Sequence, residues 1–145
     1  MYDLMIIGSG PAGISAALTA KARNLNFIWF GSRALSTKIE KAEKIMNYPG
    51  LPAVTGSEMQ SVFLKQIDDC GITITESQVN SIYDCGGYFA AGADNEIYEA
   101  KAVIMTVGMT TTREIEGEAR LLGCGVSYCA TCDGALYKNK DIAVI

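Results

Sequence analysis

The apolar residues of this chain form runs and stripes that predict alternating strands and helices. Nearly continuous apolar runs cover residues 2–7 and 26–30, and each run ends at a glycine turn. Such runs are typical of parallel strands that are covered on both faces. An Ala- and Leu-rich segment between them extends to about Arg23 and favours a helix. The opening of the chain therefore predicts a β-α-β unit of an α/β fold.

Two further helices are predicted before residue 70. Residues 38–46 are charged and compatible with a helix that ends at the turn cluster 47–52. Another helix is predicted to run to about Asp69, because Thr55 and Glu58 have the spacing of a capping box. Its apolar positions fall on one face, which predicts a stripe of core residues: Met59, Val62, Phe63 and Ile67.

The second half of the chain predicts short strands. A third strand is expected at 72–75, and a buried parallel strand at 102–106. Between them, segments separated by turn residues predict a small antiparallel meander: 79–84, 88–91 and 96–99. Residues 141–145 repeat the pattern of residues 3–7, an Asp followed by four apolar residues. We therefore expect a fragment that stops at the start of a second nucleotide-binding unit.

The turn after the first run carries a dinucleotide-binding fingerprint, GxGxxG between a predicted strand and a predicted helix. Its first glycine permits the tight turn, the second lets backbone amides approach a pyrophosphate, and the third lets the helix pack close to the strand. The helix N-terminus then faces the phosphates. We expect dinucleotide binding here; the alternative is a glycine turn that binds nothing. The residues are Gly8, Ser9, Gly10, Pro11, Ala12 and Gly13.

The end of the second predicted strand lacks the carboxylate that usually binds the adenosine ribose. Gly31, Ser32 and Arg33 stand there, with Lys38 nearby. An Arg at this place can accommodate a 2′-phosphate, so NADP is a rival ligand for the motif. Alternatively, Ser32 and Arg33 hold a ribose and adenine without a phosphate. Gly108, after the strand predicted at 102–106, is expected to make a second contact with the nucleotide.

Composition narrows the class of protein. The chain has 145 residues, of which 49% are hydrophobic and 19% charged, with a net charge of −4. These values are typical of a soluble globular protein and give no electrostatic footprint for nucleic acid. No apolar run reaches the roughly 18 residues of a membrane span, and no signal peptide precedes the first strand. Five unevenly spaced cysteines favour a reducing compartment. We predict a cytoplasmic protein without a nucleic-acid or membrane partner.

A CxxC pair formed by Cys129 and Cys132 is the clearest candidate for redox chemistry. The chain has no histidine, so Asp133 is the nearest candidate acid/base. An iron–sulfur site would need a later fourth cysteine, and a structural zinc site would need further ligands. The same pair is also compatible with structural thiols or with a redox sensor. Cys70 and Cys85 are interpreted as small buried hydrophobes.

The whole chain resembles the low-molecular-weight thioredoxin reductases. The resemblance rests on the fingerprint at 8–13, the Asn-Tyr-Pro-Gly turn at 47–50, and the segment 125–134 that contains Cys-Ala-Thr-Cys-Asp-Gly. It implies a Rossmann-like, three-layer FAD-binding domain with a small antiparallel meander. We divide the chain accordingly into an N-terminal FAD-binding part (1–112), a connection (113–123) and the start of a truncated NAD(P)-type domain with the CxxC (124–145).

The resemblance also implies residue roles. The fingerprint would hold the FAD pyrophosphate, Asn47 would lie beside the flavin, and Val79 and Gly108 would complete the cofactor site. Cys129 would attack the disulfide of thioredoxin or a thioredoxin-like protein, Cys132 would face the flavin, and Asp133 would move the proton. The complete protein would be a homodimeric thioredoxin-disulfide reductase that uses NADPH, whereas we expect the fragment alone to be inactive.

Because of three departures from the family pattern, ferredoxin remains an alternative electron donor and partner. Gly31-Ser32 replaces a glutamate, residues 36–38 replace a Gly- and Gln-containing loop, and Thr112 stands where the family has an Arg. These departures resemble the ferredoxin-dependent flavin thioredoxin reductases of anaerobes. Ferredoxin would need a basic surface, to which Lys38, Lys41 and Lys44 could contribute from one helix face, unless these lysines are ordinary solvated charge. The residues are also compatible with a related flavin reductase, such as an alkyl hydroperoxide reductase subunit, or with a flavin-binding module without turnover.

Overall fold

The computed structural model describes residues 1–108, 116–121, 123–127 and 134–144. Five strands lie in the described part: β1 Tyr2–Ile7, β2 Phe27–Phe30, β3 Val79–Asp84, β4 Phe89–Ala93 and β5 Glu96–Met105. The helices there are α1 Pro11–Ala22, α2 Thr37–Glu40, α3 Gly56–Asp69 and α4 Glu118–Leu121, with a 3₁₀ turn at Gly134–Tyr137. No helix in these ranges is long and apolar enough to cross a membrane.

One sheet contains all five strands, in the order β2-β1-β5-β4-β3. β1 pairs in parallel with β2 and β5, whereas β4 pairs antiparallel with β5 and β3. Ala100 marks the change from antiparallel to parallel pairing along β5, because it pairs with Phe89 in antiparallel register and with Tyr2 in parallel register. The predicted meander and the predicted parallel strand at 102–106 are therefore parts of one sheet.

The prediction of two separate segments at 96–99 and 102–106 is wrong, since β5 is one strand of 10 residues. Charged positions in the middle of the segment suggested a break. Lys101 instead extends from the strand and its Nζ lies 2.6 Å from Oδ1 of Asp3. Its hydrogen bond lowers the pKa of the Asp3 carboxyl. A charged side chain at the strand surface thus interrupts the apolar pattern without interrupting the strand.

The sheet carries a core on each face, which gives the three-layer architecture. On one face, Leu4, Ile6 and Trp29 pack with residues of α1 and α3. On the other face, Met5, Ile7 and Phe30 pack with the alanines of β4 and β5. The ring of Phe30 meets Tyr98 edge-on at 5.0 Å, so the meander closes over the parallel strands. The predicted Rossmann-like fold is confirmed.

The two long helices follow their local signals. α1 begins with Pro at its first position, where the missing amide costs no hydrogen bond, and its small residues allow close packing on the sheet. α3 begins with the predicted capping box of Thr55 and Glu58. Its core stripe is confirmed for three of four positions. Val62 is 45% exposed, because it lies at the margin of the buried face.

Four more predicted segments are shorter or more exposed than expected. The helix predicted at 38–46 ends at Glu40, because the Ala42 carbonyl accepts the amide of Gly56 at 2.8 Å. The strand predicted at 72–75 contributes a single parallel bridge, between Thr75 and Phe30.

Residues 141–144 are exposed and are not part of the sheet. The end of β5 is not buried as predicted: Met105 is 62% exposed, since no described residue covers it.

Candidate functional site

The carboxyl ends of β1, β2 and β5 lie side by side at one edge of the sheet, because β1 is the middle strand of the three. The glycine turn leaves β1 there, and hydrogen bonds join the start of the turn to the end of β2 and the end of β1 to the residue after β5. The Gly8 amide donates to the Phe30 carbonyl at 2.8 Å, and the Thr106 amide donates to the Ile7 carbonyl at 2.7 Å. This is the edge at which open parallel sheets bind their ligands.

Two glycines of the fingerprint are required by close packing. Gly8 has a φ of +109°, and a Cβ there would lie 2.4 Å from the carbonyl oxygen of Thr106. A Cβ on Gly13 would lie 2.0 Å from the carbonyl oxygen of Gly8. These positions hold strand and helix together, as the fingerprint predicts for its first and third glycine.

Gly10 has the opposite environment, since among residues 1–108 and the other described ranges nothing lies within 4 Å of where its Cβ would be. It is the N-cap of α1 and, as a glycine, it has no side chain to cap the helix. No acidic residue lies in the first turn of α1. The helix N-terminus therefore presents uncapped amides and its positive dipole end beside open space, which together suit a phosphate. The arrangement fits a dinucleotide pyrophosphate, with Pro11 and Ala12 in the same turn.

Two side chains that sequence reasoning gave no role tighten this turn. The Trp29 indole Nε1 donates to the Gly8 carbonyl at 2.8 Å. The Thr106 hydroxyl lies 2.9 Å from the Ile7 carbonyl oxygen and 3.0 Å from that of Gly8. The signals that could have found them are a lone Trp in a buried strand and a polar residue at the end of an apolar strand. Both hold the turn rather than face the open space.

Ser9 joins the glycine turn to the segment that follows β2. Its side chain is buried, with Oγ accepting from the Ser32 amide at 2.9 Å and donating to the Leu35 carbonyl at 3.1 Å. Gly31 packs directly on it, and a Cβ at residue 31 would lie 2.5 Å from the Ser9 Cβ. The structure thus explains the missing carboxylate after β2, because residue 31 has no room for a side chain.

Arg33 is held by two carboxylates. Its backbone amide donates to Oε1 of Glu76 at 2.7 Å. Its guanidinium Nη2 lies 3.0 Å from both carboxylate oxygens of Asp68, near the end of α3. The sequence predicts that Arg33 binds a ribose or a 2′-phosphate, and it does not predict the contacts with Asp68 and Glu76. Spacing along the chain could not have revealed a pair that is 35 residues apart.

The remaining predicted cofactor residues are placed less centrally. Gly108 has a φ of +68° and lies exposed just beyond β5, at the same edge as the glycine turn. Asn47 is exposed. The residues that follow it line a shallow groove of about 290 Å³ with Ile14 and Ser15, so this turn lies beside the first half of α1. Val79 is half-buried and opens β3, the last strand of the sheet order.

The predicted catalytic residues Cys129, Cys132 and Asp133 lie outside the described residues. Of the described cysteines, Cys70 is half-buried and packs against the helix-side core, as predicted. The prediction of a buried Cys85 is wrong, because this residue follows β3 at an exposed turn. A hydrogen bond with the Cys85 side chain raises the pKa of the Tyr88 hydroxyl.

The shared lysine face predicted for ferredoxin does not form on a helix. Because α2 spans only Thr37–Glu40, Lys41 caps the helix and Lys44 lies beyond it. The positions of Lys41 and Lys44 relative to Lys38 are therefore set by the end of α2 and the loop that follows it.

Comparison with known proteins identifies a family and several relatives with similar sequences. The family model described as pyridine nucleotide-disulphide oxidoreductase matches residues 2–145. A thioredoxin reductase of Bacillus subtilis is 32% identical over 146 aligned positions, which include all of this chain and 46% of the relative. The chain therefore spans about half the length of the curated relatives it matches.

Two solved structures have the same fold over 94% of this chain. A ferredoxin-flavin thioredoxin reductase from Clostridium acetobutylicum is 48% identical, with a TM-score of 0.75 and 47% of its own length matched. The thioredoxin reductase from Streptococcus pyogenes is 35% identical, with a TM-score of 0.78 and 45% of its length matched.

Proposed function

The chain belongs to the pyridine nucleotide-disulphide oxidoreductase family, and on that premise we propose that it forms the FAD-binding part of a disulfide reductase. The observation that carries the proposal is the cradle at Gly10, where a Cβ would meet no atom of the described residues within 4 Å and where the Gly10 N-cap leaves the first amides of α1 without a side-chain partner from its own position. A pyrophosphate suits this place because backbone amides and the helix dipole both favour its charge.

The proposed FAD site is assembled from the edge of the parallel strands. Residues 8–13 bind the pyrophosphate, and residues 31–33 border the adenosine. Gly108 approaches from the end of β5, while Asn47 and Val79 complete the site as the family resemblance implies. When bound, FAD supplies two-electron transfer to a disulfide, which no side chain of the chain can supply.

The proposed reaction passes through Cys129 and Cys132. Two electrons and two protons convert their disulfide into two thiols. The Cys129 thiolate then attacks the disulfide of thioredoxin or a thioredoxin-like protein and forms a mixed disulfide. Cys132 attacks the Cys129 sulfur, which re-forms the intramolecular disulfide and releases the reduced partner. Asp133 gives a proton to the departing thiolate, since the chain has no histidine for this step.

The wider proposals follow the relatives. We assign residues 1–112 to the FAD-binding domain, 113–123 to a connection and 124–145 to the start of a nucleotide-type domain that carries the CxxC. The protein would act in the cytoplasm as a homodimer with thioredoxin as its partner. Since the chain spans 46% of the length of its Bacillus subtilis relative, these roles concern the full-length protein.

Ferredoxin is the second candidate for the electron donor, beside NADPH. The observation that favours it is the 48% identity with the ferredoxin-flavin enzyme, against 35% with the Streptococcus pyogenes reductase. Anaerobic titration of the full-length protein separates the donors. Bleaching of the flavin within seconds by NADPH rejects the ferredoxin alternative, whereas bleaching by reduced ferredoxin alone rejects NADPH.

The proposed cofactor is tested by its release. The full-length protein should be yellow, and denaturation should release FAD in a ratio of about one per chain. The flavin should rebind to the stripped protein. Release of NADP, or failure of the stripped protein to take up FAD, would reject the proposal.

A further inference from the structure

Arg33 occupies the position from which a Rossmann-like site reads the 2′ group of the adenosine ribose. It lies just after β2, where a carboxylate binds a 2′-hydroxyl or an Arg binds a 2′-phosphate. Ser9 fixes this segment beside the glycine turn through its bond to the Ser32 amide. The conformation of Arg33 therefore bears directly on which nucleotide the turn accepts.

The two carboxylates that bind Arg33 make the net charge around this residue negative. Asp68 receives the guanidinium at 3.0 Å, and Glu76 receives the backbone amide at 2.7 Å. One guanidinium and two carboxylates leave a local charge of −1. A 2′-phosphate that approached Arg33 would meet these carboxylates, and like charges repel at such distances.

Asp68 would be an unfavourable residue at this place if it served the helix alone. It lies in the last turn of α3, where the helix dipole disfavours negative charge and where no basic residue stands. Its neighbour Asp69 is compensated within the helix by Lys65. Asp68 is compensated by Arg33, so its position is explained by the segment after β2.

We propose that Asp68 and Glu76 are specificity-determining residues of the nucleotide site, which commit Arg33 and so reject a dinucleotide that carries a 2′-phosphate. The inference rests on the proposed FAD site and extends it to the chemistry of the adenosine end. The pair of Asp68 and Arg33 is about half exposed, with 54% and 48% of the side chains accessible. The discrimination is therefore moderate, since exposed pairs contribute little individually.

The test is competition for the FAD site in the stripped full-length protein. Rebinding of FAD is followed by flavin fluorescence, with 5′-ADP or 2′,5′-ADP as competitor. This readout reports on the FAD site alone, even if a second nucleotide site exists. In the wild type, 5′-ADP should compete at least about fivefold better than 2′,5′-ADP.

Releasing Arg33 should shift this preference toward 2′,5′-ADP. In Asp68→Asn/Glu76→Gln, the ratio should shift by at least about fivefold toward 2′,5′-ADP, and adding Arg33→Ala should abolish the shift. Asp69→Asn is the matched control on the same helix and should leave the ratio unchanged. Asp68→Ser is a second variant, and circular dichroism checks that each protein is folded.

Two results would overturn the inference while the proposed function stands: a wild type that already favours 2′,5′-ADP, or an unchanged ratio in the released variant. Failure of the wild type to bind FAD at all would instead overturn the proposed function, and the inference with it.

Discussion

Gly10 and Gly31 lie at the same edge of the sheet but are glycines for different reasons. A Cβ at Gly31 would lie 2.5 Å from the Ser9 Cβ, in a buried contact that holds two turns together. A Cβ at Gly10 would meet no atom within 4 Å in the part of the chain that the structure describes. Gly31 is therefore required by the fold, whereas packing among the described residues does not require a glycine at position 10, and the proposed function assigns that requirement to the bound pyrophosphate.

Alanine at each position should separate these requirements. Gly31→Ala should lower the free energy of unfolding by about 1–3 kcal/mol, because Ser9 must shift to admit the methyl group. Gly10→Ala should cost about 1 kcal/mol or less, since only the N-cap preference changes. Its affinity for FAD should fall at least about tenfold, because the methyl group occupies the cradle.

Urea denaturation of the apoproteins and FAD titration of the folded proteins measure the two effects. The double variant Ser9→Gly/Gly31→Ala is the control, and it should recover part of the stability lost in Gly31→Ala because the contact with Ser9 is relieved. A Gly31→Ala protein as stable as the wild type would refute the packing argument. Full FAD affinity in Gly10→Ala would refute the cradle.

At the scale of the elements, α3 depends on the capping box at its N-terminus. The Thr55 hydroxyl accepts from the Glu58 amide at 3.2 Å, and the Thr55 amide donates to the Glu58 carboxylate at 2.8 Å. α3 supplies three buried core residues and also carries Asp68. Weakening this cap should therefore destabilise the helix layer that holds Asp68 against the segment 31–33.

Thr55→Ala should lower the free energy of unfolding by about 1 kcal/mol at neutral pH, while the neighbouring Ser57→Ala should change it by less than about 0.5 kcal/mol. The hydrogen bonds from the backbone and side chain of Thr55 lower the pKa of Glu58 from 4.5. A lowered pKa in the folded state means that this stabilisation is present above pH 4.5 and is lost as the pH falls through the folded pKa.

Thermal melts of both variants between pH 7 and pH 3 test this account. The difference in melting temperature between the wild type and Thr55→Ala should become smaller toward pH 3, because a protonated Glu58 carboxyl is a weaker hydrogen-bond acceptor for the Thr55 amide. A difference that stays constant over this range would show that Glu58 does not share in the cap.

The elements that the sequence predicts well are those with local signals. α1 follows from a glycine turn and Pro11, and α3 from its capping box and apolar stripe. Where the outcome depends on distant residues, the predictions fail. α2 ends early because residues 42 and 56 bond to each other, and β5 is continuous because it pairs with β4 over its first half and with β1 over its second half.

The same division holds in the candidate site. The fingerprint at residues 8–13 is predictable because its glycines serve a local strand-turn-helix geometry. The packing of Gly31 on Ser9, and the pairing of Arg33 with Asp68, join segments that are far apart in the chain. No pattern along the sequence carries such pairings without knowledge of the fold.

At the scale of the whole molecule, the proposed function joins two parts of the chain. The nucleotide edge is built by residues before 109, whereas the CxxC follows it by about 20 residues in sequence. The family match covers both parts in one alignment, from residue 2 to residue 145. The proposed function therefore requires that electrons placed on the flavin reach Cys129 and Cys132.

Thiol trapping after flavin reduction tests this claim most directly. The full-length protein, oxidised and anaerobic, receives one two-electron equivalent per flavin and is then alkylated and analysed by mass spectrometry. We predict new thiols at Cys129 and Cys132 only, with the exposed Cys85 alkylated before and after reduction. Cys132→Ser should retain the electrons on the flavin, while Cys85→Ser should behave as the wild type. A reduced flavin with the disulfide of Cys129 and Cys132 still intact in the wild type would contradict the account.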